Sequence, residues 1–330
     1  VLYERENKMT RILGKIRNII AVALLVPAIG FSAENEKKAD NQLRIGYQKS
    51  DPVFILLKKE GTLEKRLAPL GINVSWIEFP AGPQMLEGLN VGSIDFGTVG
   101  ETPPIFAQAA NAKITYIGYK PASPKSEAII VQKDSSIKSV ADLKGKKVVL
   151  NKGSNVHYLL VKALENAGLK YSDVETVFLA PADARAAFER GSVDAWVIWD
   201  PFLAAAETSI GAKVLKDGTN TVNKHQFYLA EESYAAKRPD IVAAVFDELR
   251  KINDWAIAKP SEAAKALQPV TGLDFVTLEK SIQRGGFGIS YLNDKVIAEQ
   301  QKIADTFYDL KLIPKKLDIK SVVWTPEQKK

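Results

Sequence analysis

A chain of 330 residues is long enough for two ordinary domains, and its composition (46% hydrophobic and 25% charged residues) is that of a soluble globular protein. Residues 1–33 carry five Lys/Arg and two Glu, so that +3 of the formal net charge of +6 belongs to this N-terminal segment. The mild surplus elsewhere gives no reason to expect a nucleic-acid partner or a membrane surface. The absence of cysteine excludes disulfides, thiolate catalysis, Cys-based metal sites and a lipid-modified N-terminal Cys.

The N-terminus has the organisation of a secretory signal peptide. Arg11, Lys15 and Arg17 precede an apolar run over residues 19–31, and small residues follow at 32 and 33, where a peptidase could cut. The run is shorter than the roughly 20 residues that a membrane-spanning helix needs. We therefore expect residues 1–33 to comprise a signal peptide and the residues upstream of it, and the exported protein to be periplasmic.

Short apolar segments then alternate with helical patterns. Strands are predicted over residues 43–47, 74–79, 94–99 and 114–119, and helices over residues 52–60, 84–89 and 103–110. Such alternation is typical of parallel strands joined by crossover helices.

The same order begins again near residue 147, with strands predicted over 147–150, 174–179 and 193–199 and helices over 155–167, 183–189 and 202–207. The two series align, because Gly92-Ser93-Ile94-Asp95 matches Gly191-Ser192-Val193-Asp194. Two copies of one α/β unit predict two lobes that face each other. Chance similarity between α/β units is the alternative explanation of the match.

Two segments are expected to connect the lobes. Residues 121–132 give the first crossing and residues 226–230 a return strand, and helices follow over 240–258, 261–270, 275–284 and 294–310. This predicts residues 34–125 as the first part of lobe I, 126–230 as lobe II, and 231–330 as the return to lobe I. A double crossing forms a hinge, and we expect the lobes to close around a ligand.

The ligand is expected at the carboxyl ends of the strands, where loops lead into helices. These loops span residues 48–50, 80–83 and 100–103 in lobe I, and 152–155, 180–183 and 199–201 in lobe II. Free N–H groups and the positive ends of helix dipoles would point into the cleft, together with neutral donors and glycines. Such a site suits a compact oxyanion without a cation to neutralise it. The alternative is that Ser50, Thr102, Ser154 and Asp183 are simple helix N-caps.

Five other side chains near these loops have competing functional and structural interpretations. Trp199 either walls an apolar part of the ligand or packs in the core. Glu101 and Asp200 occupy equivalent positions in the two repeats, and they either cap helices or accept hydrogen bonds from the ligand. His157 either contacts the ligand or is structural. Arg284 either clamps an anion or stabilises the end of a helix.

Several stretches resemble the aliphatic-sulfonate-binding proteins of ABC importers, among them Phe79-Pro80-Ala81-Gly82-Pro83, Pro103-Pro104-Ile105-Phe106 and Trp199-Asp200-Pro201. The resemblance extends from about residue 43 to residue 324. It implies a two-lobed type II periplasmic-binding fold, each lobe a mostly parallel sheet flanked by helices. It also implies a monomer that delivers an alkanesulfonate to an inner-membrane permease, with no catalysis, cofactor or metal. By position, the residues lining the cleft would be Gln48, Gly82, Glu101, Thr102, Ser154, Asn155, His157, Trp199 and Asp200.

Other functions on the same scaffold stay open. The ligand could instead be taurine, nitrate or a thiamine precursor, and some pyrimidine-synthesising enzymes share the fold. An enzyme is disfavoured by the expected signal peptide, the lack of cysteine and the lack of any His/Asp/Glu cluster at metal spacing. The matched stretches favour a plain alkanesulfonate, for which we expect Glu101 and Asp200 to bind caps or groups of the opposite lobe and not a ligand ammonium group.

Overall fold

The computed structural model describes residues 41–286 and 288–325. The segment expected to be a signal peptide, residues 1–33, lies outside these residues. None of the helices within the described ranges has the length and hydropathy to cross a membrane. Within the same ranges, no group of three or more His, Cys, Asp and Glu side chains could hold a metal ion.

Strands and helices alternate along the described chain. The strands are β1 (Gln42–Gln48), β2 (Asn73–Phe79), β3 (Phe96–Gly100), β4 (Ile114–Lys120), β5 (Glu127–Val131), β6 (Lys147–Leu150), β7 (Glu175–Phe178), β8 (Ala195–Trp199), β9 (Lys213–Asp217), β10 (Gln226–Glu231) and β11 (Ser290–Tyr291). The helices are α1 (Pro52–Glu60), α2 (Thr62–Leu67), α3 (Gly82–Asn90), α4 (Pro103–Ala109), α5 (Asn155–Asn166), α6 (Pro181–Glu189), α7 (Phe202–Ile210), α8 (Glu232–Lys237), α9 (Pro239–Ala258), α10 (Pro260–Thr271), α11 (Phe275–Arg284) and α12 (Asp294–Asp309).

The strands form one sheet in each lobe. The sheet of lobe I has the order β11-β4-β10-β3-β1-β2, and that of lobe II the order β7-β6-β8-β5-β9. In lobe I, β1 runs parallel to β2 and β3, and β10 is antiparallel to β3. Lobe II repeats this arrangement with β6 parallel to β7 and β8, and β5 antiparallel to β8. This is the two-lobed α/β architecture that the sequence predicts. In their strand pairs, however, the sheets are mixed and not mostly parallel as expected, because a strand next to each crossing enters its sheet antiparallel to both of its neighbours.

The same turn precedes the third parallel strand of each repeat. Asp95 Oδ2 accepts a hydrogen bond from Arg44 N at 2.7 Å, and Asp194 Oδ2 accepts one from Lys147 N at 2.8 Å. The backbone N–H of each aspartate donates back to the carbonyl of the same partner residue. The glycine three residues earlier has a left-handed φ in both copies, 66° and 69°. Each aspartate thus fixes the register between the first and third strands of its lobe.

The return to lobe I occurs earlier than the sequence suggested. We expected lobe II to extend to residue 230, but β10 pairs with β3 and β4, both in the sheet of lobe I. The second crossing therefore precedes Gln226. The physical reason is that β10 satisfies the backbone hydrogen-bonding groups of two strands in the middle of this sheet.

Candidate functional site

One cleft lies between the two lobes and holds about 1020 Å3 of space, its open mouth included. The loops that follow β1 and β3 in lobe I and β6 and β8 in lobe II all reach it. Of the ten side chains singled out in the sequence, those lining the cleft are Gln48, Gly82, Ser154, Asn155, Trp199 and Asp200. The other four, Glu101, Thr102, His157 and Arg284, are not among the residues that line the cleft.

Helix N-termini face the cleft from both lobes. Gly82 begins α3 and Asn155 begins α5, and the first N–H groups of a helix have no acceptor within it. A Cβ atom at Gly82 would lie 2.9 Å from the ring of Pro103, so only glycine allows this close approach. Gln48 Nε2 donates to Thr98 O at 3.0 Å, and Ser154 Oγ donates to a loop carbonyl. The polar side chains therefore also hold the loops in position.

Two lysines, which the sequence analysis did not anticipate, also line the cleft. Lys120 ends β4, and Lys224 lies in the second crossing. Burial lowers the pKa of Lys120, although nearby Asp51 opposes the shift. The Lys120 side-chain nitrogen makes no hydrogen bond or ion pair with another residue of the described ranges. It is therefore available to an anion, and a bound anion would favour its protonated form. The sequence signal for Lys120 was its position at the end of the fourth strand predicted in lobe I, residues 114–119.

Two carboxyl groups are buried at the hinge, one from each lobe. Glu101 is 1% exposed and its Oε2 accepts from His225 N at 2.8 Å, while Glu127 is 0% exposed and its Oε2 accepts from Asn155 Nδ2. Burial is the main cause that raises the pKa of Glu101 to about 8 and that of Glu127 to about 7. The proximity of Glu127 raises the pKa of Glu101 further, and Lys224 lowers both.

Asp200 and Arg284 take part in contacts between the lobes. Arg284 Nη1 of α11 lies 3.5 Å from Asp200 Oδ1 and 2.6 Å from Glu207 Oε2 of α7. Lys280 adds a second ion pair to Glu207 at 3.1 Å. Asp200 Oδ1 also accepts from Ala204 N at 2.9 Å. Burial raises the pKa of Asp200 to about 6 despite Arg284. Arg284 therefore joins the lobes and is already paired with carboxylates.

His157 and Thr102 are enclosed by protein. His157 Nε2 lies 2.8 Å from Tyr171 Oη, and its Nδ1 accepts from Gly153 N at 3.3 Å. Its ring stacks on Phe106 of lobe I with the centroids 6.3 Å apart. Burial lowers the pKa of His157 to about 4, so the ring is neutral at physiological pH. Thr102 is fully buried at the start of α4.

Comparisons with known proteins agree with this geometry. The family model described as NMT1/THI5 like matches residues 68–263. A relative in Escherichia coli (strain K12), named as an aliphatic sulfonates-binding protein, is 45% identical over 318 residues, which are 95% of this chain and 98% of that protein. The chain belongs to the aliphatic sulfonate-binding family.

Solved structures of two family members have the same fold. The alkanesulfonate-binding protein SsuA from Xanthomonas axonopodis pv. citri, bound to MOPS, has a TM-score of 0.82 at 40% identity, covering 86% of this chain and 98% of that chain. The periplasmic aliphatic sulphonate binding protein SsuA from Escherichia coli has a TM-score of 0.78 at 46% identity, covering 86% and 97%. The expected family and fold class are thereby confirmed.

The hinge carboxyls predict a specific dependence of stability on pH. Glu101 has a folded-state pKa of about 8 against an ordinary value of 4.5. Between these values the folded state keeps a proton that the unfolded chain releases, so Glu101 makes the free energy of unfolding fall as pH rises from about 4.5 to 8. In Glu101→Gln this contribution is absent, and the decline over that interval should be shallower. Urea unfolding at pH 5, 6.5 and 8 measures it.

The control is Glu175→Gln, because the Glu175 side chain is 62% exposed and its replacement should leave the pH profile of the wild type unchanged. Parallel profiles for the wild type and Glu101→Gln would show that Glu101 is ionised in the folded protein throughout this range.

Proposed function

We propose that this protein is the substrate-binding component of an ABC importer for aliphatic sulfonates. The observation that carries the proposal is the 45% identity to an aliphatic sulfonates-binding protein over nearly the whole of both chains. Its relatives are substrate-binding proteins and not enzymes. We therefore expect the protein to capture its ligand and release it chemically unchanged.

The cleft supports this function through its electrostatics. A sulfonate has three acceptor oxygens and one negative charge, which suit the N-termini of α3 and α5. Its charge would also stabilise the protonated form of the unpaired Lys120 side chain, whose pKa burial lowers. Asp200 is already engaged by a backbone N–H and by Arg284. Both contacts use Oδ1, and Oδ2 has no hydrogen-bond partner among the described residues. We favour a plain alkanesulfonate over an aminosulfonate because the similar proteins are described as aliphatic sulfonate-binding and alkanesulfonate-binding.

The relatives and the N-terminal sequence also indicate the cellular location and the partner of the protein. The E. coli relative of known structure is described as periplasmic, and the sequence of residues 1–33 has the pattern of a signal peptide. We infer that the protein works in the periplasm and delivers the sulfonate to a permease in the inner membrane. We propose that it acts as a monomer, since one chain supplies both walls of the cleft and the binding site needs no second copy.

Replacement of Lys120 tests the anion site. Lys120→Met should weaken binding of butanesulfonate by about 1.5–3 kcal/mol, because a hydrogen bond to a charged group is lost from a partly buried position. Isothermal titration calorimetry of butanesulfonate, sulfate, nitrate and taurine against the wild type and the variant measures this change and the selectivity together.

Lys125→Met is the matched control, since Lys125 is exposed within the first crossing, does not line the cleft, and its replacement is the same lysine-to-methionine change. The control should bind as the wild type does. Equal losses in both variants would indicate a general effect of net charge, and a wild type that prefers sulfate, nitrate or taurine would overturn the proposed ligand.

Replacement of Gly100 tests closure of the cleft. A Cβ atom at Gly100 of lobe I would lie 2.6 Å from Asn155 Oδ1 of lobe II. Gly100→Ala should therefore keep the lobes apart and weaken sulfonate binding by about 1–3 kcal/mol, the usual cost of overpacking. The melting temperature without ligand should change little. Wild-type affinity in this variant would show that the lobes do not approach each other here when the ligand is bound.

A further inference from the structure

The loop between β6 and α5, residues 151–154, leaves the start of α5 open to the cleft. We call it the α5 loop. Ser154 and Asn155 line the cleft, and Ser154 stands at the N-cap position of the helix. Its side chain caps none of the N–H groups of α5, a helix that lies wholly within the described chain. Ser154 Oγ instead donates to Asn151 O at 2.7 Å. The first N–H groups of α5 are therefore left for an anion in the cleft.

His157 is the third residue of α5 and reaches back to the α5 loop. Its Nδ1 accepts a hydrogen bond from Gly153 N at 3.3 Å, where Gly153 turns the loop with a left-handed φ of 72°. Nδ1 accepts only when it carries no proton, so the ring proton is on Nε2, which lies 2.8 Å from Tyr171 Oη and donates to it. Burial lowers the pKa of His157 to about 4, which keeps Nδ1 an acceptor at neutral pH.

Aromatic side chains of both lobes enclose the His157 ring. Phe106 of α4 stacks on it with the centroids 6.3 Å apart, while the rings of Phe307 of α12 and Phe178 of β7 lie at 5.7 and 5.9 Å. His157 is only 1% exposed, and it is not part of the cleft lining. The ring is thus held in one orientation, with Nδ1 directed at Gly153, and any effect on a ligand must pass through the loop.

We propose that His157 is a positioning residue for sulfonate binding, whose unprotonated Nδ1 holds Gly153 N–H and so sets the α5 loop with the start of α5 facing the ligand. This inference rests on the proposed function and adds a residue that acts without touching the ligand. Gly153 is buried. Without the acceptor its N–H group would be unpaired, which is unfavourable, and the loop would move Ser154 and Asn155 out of place to satisfy it.

Two substitutions separate the acceptor of His157 from its ring. His157→Asn places an amide oxygen where Nδ1 stands, because each atom is bonded to Cγ, whereas His157→Phe keeps an aromatic ring without an acceptor. Calorimetry with butanesulfonate should give an affinity at least about tenfold weaker than wild type in His157→Phe and less than about threefold weaker in His157→Asn. Equal losses in the two variants, or wild-type affinity in His157→Phe, would overturn the proposal.

The matched control is Tyr171→Phe, which removes the hydroxyl group at Nε2 and leaves Nδ1 and the surrounding rings in place. It should bind butanesulfonate as the wild type does. A loss as large as that in His157→Phe would assign the effect to the contact with Tyr171 and would remove the role of Nδ1.

Hydrogen exchange of the Gly153 amide, followed by NMR without ligand, tests the contact itself. Its protection should fall at least about tenfold in His157→Phe and should be largely kept in His157→Asn. The amide of Leu160, in the middle of α5, is the internal control, because its protection reports whether the helix is still folded. Unchanged protection of Gly153 in His157→Phe would overturn the role of His157 alone, whereas a wild type that binds no sulfonate would overturn the proposed function.

Discussion

Glu101 and Glu127 come from different lobes and are buried close to each other at the hinge, within the electrostatic influence of Lys224 in the second crossing. Burying two carboxylates is expensive unless they are protonated or paired, and here burial raises both pKa values while Lys224 opposes the shift. Each carboxyl also fixes a functional element. Glu101 binds the backbone of His225 in the second crossing, and Glu127 binds the side chain of Asn155 at the start of α5. The hinge and the anion-binding end of lobe II are therefore mechanically connected.

Both lobes supply groups that can bind an anion in the cleft. α3 contributes its N-terminus from lobe I and α5 contributes its N-terminus from lobe II. Lys120 adds a hydrogen-bond donor that pairs directly with no carboxylate of the described residues and whose protonated form an anion would stabilise. Because the ligand contacts both walls only when they are close together, it must favour the closed arrangement in proportion to its extra contacts there. The ion pairs of Arg284 with Asp200 and Glu207 also join the two lobes and favour the same arrangement.

Much of this architecture was predictable, because hydrophobic periodicity reports which segments are strands and helices. The helix predicted over residues 275–284 has those bounds in the structure, and the repeated turn correctly indicated two similar lobes. Periodicity does not report which strands become neighbours, so β10 was assigned to the wrong side of the second crossing. The strand β11 has only two residues, and β9 lacks a distinct apolar run, so neither was predicted. The sequence also could not reveal that Glu127 lies near Glu101, since that proximity arises only when the two lobes meet.

The central claim, that the lobes close on a sulfonate, can be tested through the distance between them. The chain has no cysteine, so Glu87→Cys on lobe I and Asp183→Cys on lobe II, both exposed positions, can carry a single pair of spin labels. Double electron–electron resonance should show a distance distribution that becomes shorter and narrower when saturating butanesulfonate is added. An identical distribution with and without butanesulfonate, in a sample whose binding is established by calorimetry, would contradict the account.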